Sequence, residues 1–267
     1  MKAFSFRPEE SERYWYGGMP FVTLYWEALS LLFPAGEAFF ARTVHHFLPT
    51  TLTDEALVAR VRCFVAQEAA HASAHAQLNA ALEDSGLPAK RLQARCARLL
   101  GWVARLLSPR WQLAVTCALE HFTALFGEAL LLDPVHRESV HPAMRTAWLW
   151  HATEETEHKS VAMDVYRASG GPEWVRCLVM AATTGVFCLV AGRFHLALLV
   201  ADGQLGAFRR NLQGLLVLWG PGGLLLRLVP GWASYFRPGY HPDERNRTAL
   251  VAEWKSYLEG GLSGTEA

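Results

Sequence analysis

Residues 150–159 read WHATEETEHK, and the spacing inside them decides the fold. Glu155 and His158 stand three apart. On a helix, residues at that spacing point the same way, so the stretch aims one carboxylate and one imidazole into a single space. The same Glu-x-x-His occurs far upstream, at Glu68 to His71, and Glu37 and Glu120 add two glutamates flanked by apolar residues. Buried carboxylates are rarely tolerated unpaired, so solvated glutamates and core histidines are the weaker account of the ordered set Glu37, Glu68/His71, Glu120, Glu155/His158. A further Glu-x-x-His, Glu138 to His141, falls just before Pro142 between two expected helices and shows how easily one copy arises alone.

The ordered set is the ligand inventory of a carboxylate-bridged two-metal site. Ferritin-like four-helix bundles build such sites from one glutamate on each of two helices and one Glu-x-x-His on each of the other two. The rest of the chain agrees with an all-α fold, because its apolar periodicity is helical nearly throughout and no alternating β-branched run appears. A first helix is expected over residues 21–47, kinked at Pro34 and Gly36 and ended by Pro49. Asp54 opens a second, over 54–83, on which Glu68, His71 and His75 share a face. The ligand-free segment 88–107 serves as the crossover between parallel core helices. Ser108-Pro109 starts a third core helix, over 108–132, and the fourth runs over 142–168. Residues 1–170 thus form the metal-binding bundle, and 171–267 an apolar helical extension packed on it.

In that extension, residues 177–192 form sixteen consecutive positions without a charge, and residues 211–226 are a second apolar stretch interrupted at Gly220-Pro221-Gly222-Gly223. A pair of buried helices covering the bundle is the first reading, attachment to a membrane surface the second, and a true span the third. His241-Pro242 is expected to open a last amphipathic helix ending near Glu259.

Composition excludes several functions. Lys plus Arg and Asp plus Glu are 25 each, with no basic block, so nucleic acid is not an expected partner. The five cysteines are scattered without a Cys-x-x-Cys, which argues against disulfides, zinc ribbons and iron–sulfur clusters and for small core residues in a reducing compartment. The first residues lack the uninterrupted apolar stretch of a secretory signal, so the expected location is cytoplasmic, with a membrane-peripheral alternative.

Glutamate oxygens with neutral imidazoles favour iron first, with manganese or a mixed pair next. A reduced pair can pass two electrons to dioxygen in a dry cavity, for which Phe39, Phe40, Phe64, Phe122, Phe126 and Trp150 suit as lining. His151 lies one turn before Glu155 on the same face and is read first as a ligand, then as a hydrogen-bond partner of one. His75 is read mainly as such a partner, with metal ligation and plain packing as the alternatives. Asp164 is either an orienting partner of a ligating imidazole or a surface charge. Glu154 and Glu157 flank the motif as solvated residues or partners of Lys159, and His121 points off the face of Glu120.

At FPAGEAFF around Glu37, at the run from Glu68 to His75, and at WHATEETEHK, the sequence resembles the family named predicted metal-dependent hydrolases. The resemblance covers residues 21–166 well and the apolar C-terminal half in character, and it implies a ferritin-like metal-binding bundle. His151-x-x-x-Glu155-x-x-His158 is also similar to the motif of di-iron arylamine N-oxygenases. That likeness implies Glu37, Glu68, His71, Glu120, His151, Glu155 and His158 as ligands, a pattern that does not require His75.

The favoured expectation is a di-iron oxygenase or oxidase that uses dioxygen and an electron donor on a small, hydrophobic organic substrate. The alternatives are a metal-dependent hydrolase, in which paired ions generate a hydroxide nucleophile, and a ferritin-like binding or storage module. A homodimer is left open.

Overall fold

The computed structural model describes residues 3–48 and 51–263. The chain is all-helical: among the described residues the only extended pairing is an isolated bridge between Tyr16 and Val140. Its helices are α1 (Pro20–Ser30), α2 (Phe33–His45), α3 (Glu55–Asp84), α4 (Ala89–Leu106), α5 (Pro109–Leu132), α6 (Pro134–Ser139), α7 (Pro142–His158), α8 (Val161–Ala168), α9 (Glu173–Ala201), α10 (Phe208–Trp219), α11 (Leu224–Ser234) and α12 (Thr248–Ser263).

Local chemistry sets these boundaries. Asp54 caps α3 by accepting from the Ala56 backbone N–H at 2.9 Å, and Gly86, at φ +91°, turns the chain after it. Pro109 sits in the first turn of α5, where a missing N–H costs nothing, although the Ser108 hydroxyl makes no capping bond. The expected first helix is two helices, not one kinked helix. A proline inside a helix removes one ladder bond and clashes with the carbonyl four residues back, so the break falls at Leu31–Leu32 and Pro34 is left in the first turn of α2. Pro49 lies outside the described residues. The fourth core helix also breaks, at Lys159–Ser160, before resuming as α8. His241-Pro242 opens only a short 3-10 turn, and α12 begins at Thr248.

α2 packs on α3, α5 on α7, and α2 and α7 each touch the opposite pair, so these four enclose a common interior. α4 lies across α2, α3 and α5 in the crossover position. α9 packs on α5 and α1, α10 on α1, α11 on α5, and α12 on α7. Apolar cores therefore run across residue 170: Phe39, Leu113 and Val165 share one cluster with Val179 and Tyr235.

The two C-terminal apolar stretches are not buried covers. Only 28 % of the most apolar window of α9 is buried, and Trp174, Leu189, Leu196, Val200, Phe208, Leu212 and Trp219 are half or more exposed. By length and composition alone, Pro109–Leu132, Glu173–Ala201 and the broken pair Phe208–Ser234 are long and apolar enough to cross a membrane. The five cysteines are all free.

Candidate metal centre

Glu37 comes from α2, Glu68 and His71 from α3, Glu120 from α5, and His151, Glu155 and His158 from α7; none is more than 4 % exposed. They converge on one space. Donor atoms of Glu37, Glu68 and His71, of His71, His151 and Glu155, of Glu68, Glu155 and His158, and of Glu37, His75 and His151 form sets within 4.8 Å of one another. Glu120 joins through His158, whose Nε2 lies 3.5 Å from its Oε2.

Each of the three imidazoles turns one nitrogen outward to a partner and the other inward to carboxylates. His71 bonds Glu154 Oε2 through Nε2 at 3.0 Å, leaving Nδ1 at 3.3 Å from Glu155. His158 bonds Gln67 Oε1 through Nδ1 at 3.3 Å, leaving Nε2 at 3.2 Å from Glu68. His151 bonds His75 Nε2 through Nδ1 at 2.7 Å, leaving Nε2 at 3.1 Å from Glu155 and 3.7 Å from Glu37.

A longer chain of bonds fixes the tautomer of His151. Asn79 donates to the Ser30 carbonyl through Nδ2, so its Oδ1 accepts from the Ser30 hydroxyl at 2.8 Å. With that proton committed, Ser30 Oγ accepts from His75 Nδ1–H at 2.8 Å. His75 Nε2 then accepts from His151 Nδ1–H, and His151 Nε2 presents a lone pair to the carboxylates. The same logic applies to His71 and His158, whose outward nitrogens donate to acceptor oxygens. In this neutral state three lone pairs face carboxylate oxygens across gaps that only a proton or a cation can bridge.

The electrostatics describe the same conflict. Burial pushes Glu37, Glu68 and Glu120 well above the usual carboxylate range, reinforced at Glu68 by Glu120 and Glu155. Burial would raise Glu155 too, but His158, His151 and His71 hold it well below the usual value. Burial opposes protonation of His71, yet Glu154, bonded to its Nε2, and the nearby Glu155 carboxylate raise it to about 9, while burial and His71 drop His151 to about 4. One imidazole and a few protons thus stand in for positive charge. Among the described residues, neither oxygen of Glu37, Glu68 or Glu120, nor the inward nitrogen of His71 or His158, has a hydrogen-bond partner. Four carboxylates with three inward imidazole nitrogens, each backed by an outer acceptor, fit a pair of divalent cations.

Sequence reasoning missed some of the outer partners. Glu154 is buried and serves His71, not solvent or Lys159; Lys159 pairs with Glu128 at 3.1 Å, and Glu157 with Lys255. Gln67 serves His158. Asn79 was the most findable, because it continues the steps of three and four from Glu68 through His71 and His75. Asp164 orients no ligand: it pairs with Arg60 at 2.7 Å and His241 at 2.9 Å. His121 faces away, with its Nε2 on the Gly231 carbonyl, and His141 caps α7.

Aromatic rings wall the centre. Trp150 meets His71 edge-on at 4.8 Å, Phe64 meets His158 at 4.8 Å, and Phe33 lies 5.0 Å from His151. Beside the centre, between α2, α4, α5 and α9, is a chamber of about 500 Å³. Apart from Cys96, Trp111, Thr123 and Thr183 its lining side chains are hydrocarbon, including Phe40, Phe122 and Phe126. Phe33 and Phe126 line both this chamber and a small depression that reaches His151 and Glu155.

Fold and site together define an all-helical protein with a buried carboxylate–histidine cluster suited to metal ions. A family model described as predicted metal-dependent hydrolase matches residues 2–246, and the chain belongs to that family. No curated protein and no solved structure was found to match it.

Proposed function

We propose that this chain is a two-metal enzyme of ferritin-like type that acts on an apolar small molecule held in the chamber beside the cluster. The observation that carries the proposal is the convergence of the inward nitrogens of three imidazoles on Glu37, Glu68, Glu120 and Glu155. Divalent ions held by these seven residues would supply Lewis-acid and water-activating chemistry and, as iron or manganese, redox chemistry as well. Glu154, Gln67 and His75 would orient the ligating rings. Phe33, Phe64, Phe126 and Trp150 would keep water from the carboxylates and pass the substrate's apolar part.

The family description supports hydrolysis as the reaction. One observation favours a second reading, oxidation with dioxygen and an external electron donor: the chamber wall offers almost no group to polarise a carbonyl or stabilise an oxyanion, while it suits a hydrocarbon. The exposed faces of α9 and α10, bordered by Arg193, Arg209 and Arg210, support attachment to a membrane surface.

One experiment separates the reactions. Metal-loaded protein is given a panel of apolar esters and amides, and in parallel reduced ferrous protein is given oxygen and the matching hydrocarbons. Ester turnover that is unchanged without oxygen supports hydrolysis; oxygen uptake coupled to hydrocarbon loss supports oxidation. Iron loading far above two per chain, in a cage-sized particle with neither turnover, would contradict both.

A further inference from the structure

We infer that the chamber and the groove beside it form one site for a long-chain carboxylate, an assignment that deepens the proposed function and rests on its reading of the chamber as the substrate site. At about 500 Å³ the chamber has the size of a small-molecule pocket, ~300–1,000 Å³, but its wall lacks the few placed polar groups that usually fix orientation. Those groups stand just outside. Leu99 of α4 and Val190 of α9 line both the chamber and a neighbouring surface groove, whose rim carries Arg91, Arg95 and Arg193.

Arg91 and Arg95 are four apart and share a face of α4; Arg193 comes from α9, across the groove. No carboxylate pairs with any of the three among the described residues, so what sets them apart is their gathering on one groove at the chamber's edge. Three like charges at the mouth of a carbon-lined cavity complement an anionic head followed by an apolar chain, and guanidinium forks match a carboxylate bidentately.

The placement also says which part of such a molecule meets the centre. Gly36 and Phe40, on either side of Glu37, line the chamber, as do Leu119 and Thr123, on either side of Glu120. With its head on the arginines, the chain runs past the turns of α2 and α5 from which these two carboxylates project. Carbon within the chain approaches the centre, and the head stays at the groove.

The test is calorimetric titration of the metal-loaded full-length protein with palmitate and with hexadecanol, with metal content measured on the same samples. Palmitate should fill a single saturable site and bind about tenfold more tightly than the alcohol. The combined changes Arg91→Glu, Arg95→Glu and Arg193→Glu, all on exposed positions, should abolish that preference and leave hexadecanol binding unchanged. Val115→Trp, which fills the chamber, should weaken both ligands more than tenfold; should it fail to fold, the surface variant still decides the matter. Equal affinity for the two ligands, a preference that survives charge reversal, or no saturable palmitate binding would overturn the assignment. If the ions are retained in that outcome, the two-metal reading stands; if the wild-type protein holds no ions, that reading fails separately.

Discussion

Replacing His75 with leucine removes the acceptor that holds His151 in its ligating tautomer. The His75–His151 bond is 2.7 Å long and fully buried, and it is the inner link of the chain from Asn79 through Ser30. Without it the Nδ1–H of His151 is a buried donor with no partner, at a cost of ~1–3 kcal/mol. The ring can recover part of this by turning its N–H towards Glu155, which withdraws the lone pair from the centre. One outer hydrogen bond to a metal-bound histidine typically carries ~10–100-fold in metal affinity, about 1.4–2.7 kcal/mol, so the two estimates agree. Competition titration of manganese or ferrous iron against a chelator should show His75→Leu weakened by that factor. His75→Gln, whose amide oxygen can accept the same proton, should recover most of it. Wild-type affinity in His75→Leu, or a Gln variant as weak as the Leu variant, would refute the tautomer argument.

Glu68→Ala and Glu155→Ala should each abolish stoichiometric metal binding, whereas His151→Ala, which removes no charge, should keep the ions with reduced affinity; metal analysis after desalting checks both. Glu120→Gln should lower metal affinity yet raise the melting temperature of the metal-free protein at pH 8, because it removes a carboxyl that burial holds well above its usual value. Since Glu37, Glu68 and Glu120 must lose protons to bind cations, affinity should rise with pH and binding should release protons, which titration in two buffers of different ionisation enthalpy measures. Burial raises Glu27 from 4.5 to about 7 despite Arg13 and Trp15. A folded value above the unfolded one gives stability that is full below the unfolded value and is lost as pH rises through the folded value, by up to about 3 kcal/mol here. Glu27→Gln should therefore flatten the fall in melting temperature as pH rises from 4.5 to about 7; an unchanged slope would contradict it.

Features confined to one helix were legible in the sequence. Glu68, His71 and His75 share a face because of the helical repeat, Pro109 starts α5 because its ring suits a first turn, and the order of the glutamates maps directly onto α2, α3, α5 and α7. What depends on contact between helices was not legible. Glu154 sits beside Glu155 in the chain, and only the placement of α3 shows that it faces His71 while Glu155 faces the interior. Asp164 lies six residues past His158, but the break at Lys159–Ser160 and the approach of Arg60 and His241 take it elsewhere. The apolar run of α9 gave no sign of which face would be covered, since α5 and α1 reach only one side.

The most direct test is a crystal structure of the metal-loaded protein with anomalous scattering recorded at the iron and manganese edges. Two peaks among the carboxylates of Glu37, Glu68, Glu120 and Glu155, contacted by His71 Nδ1, His151 Nε2 and His158 Nε2, is the result the account predicts. No peak at the cluster, or a single ion that leaves these nitrogens turned away, would contradict it.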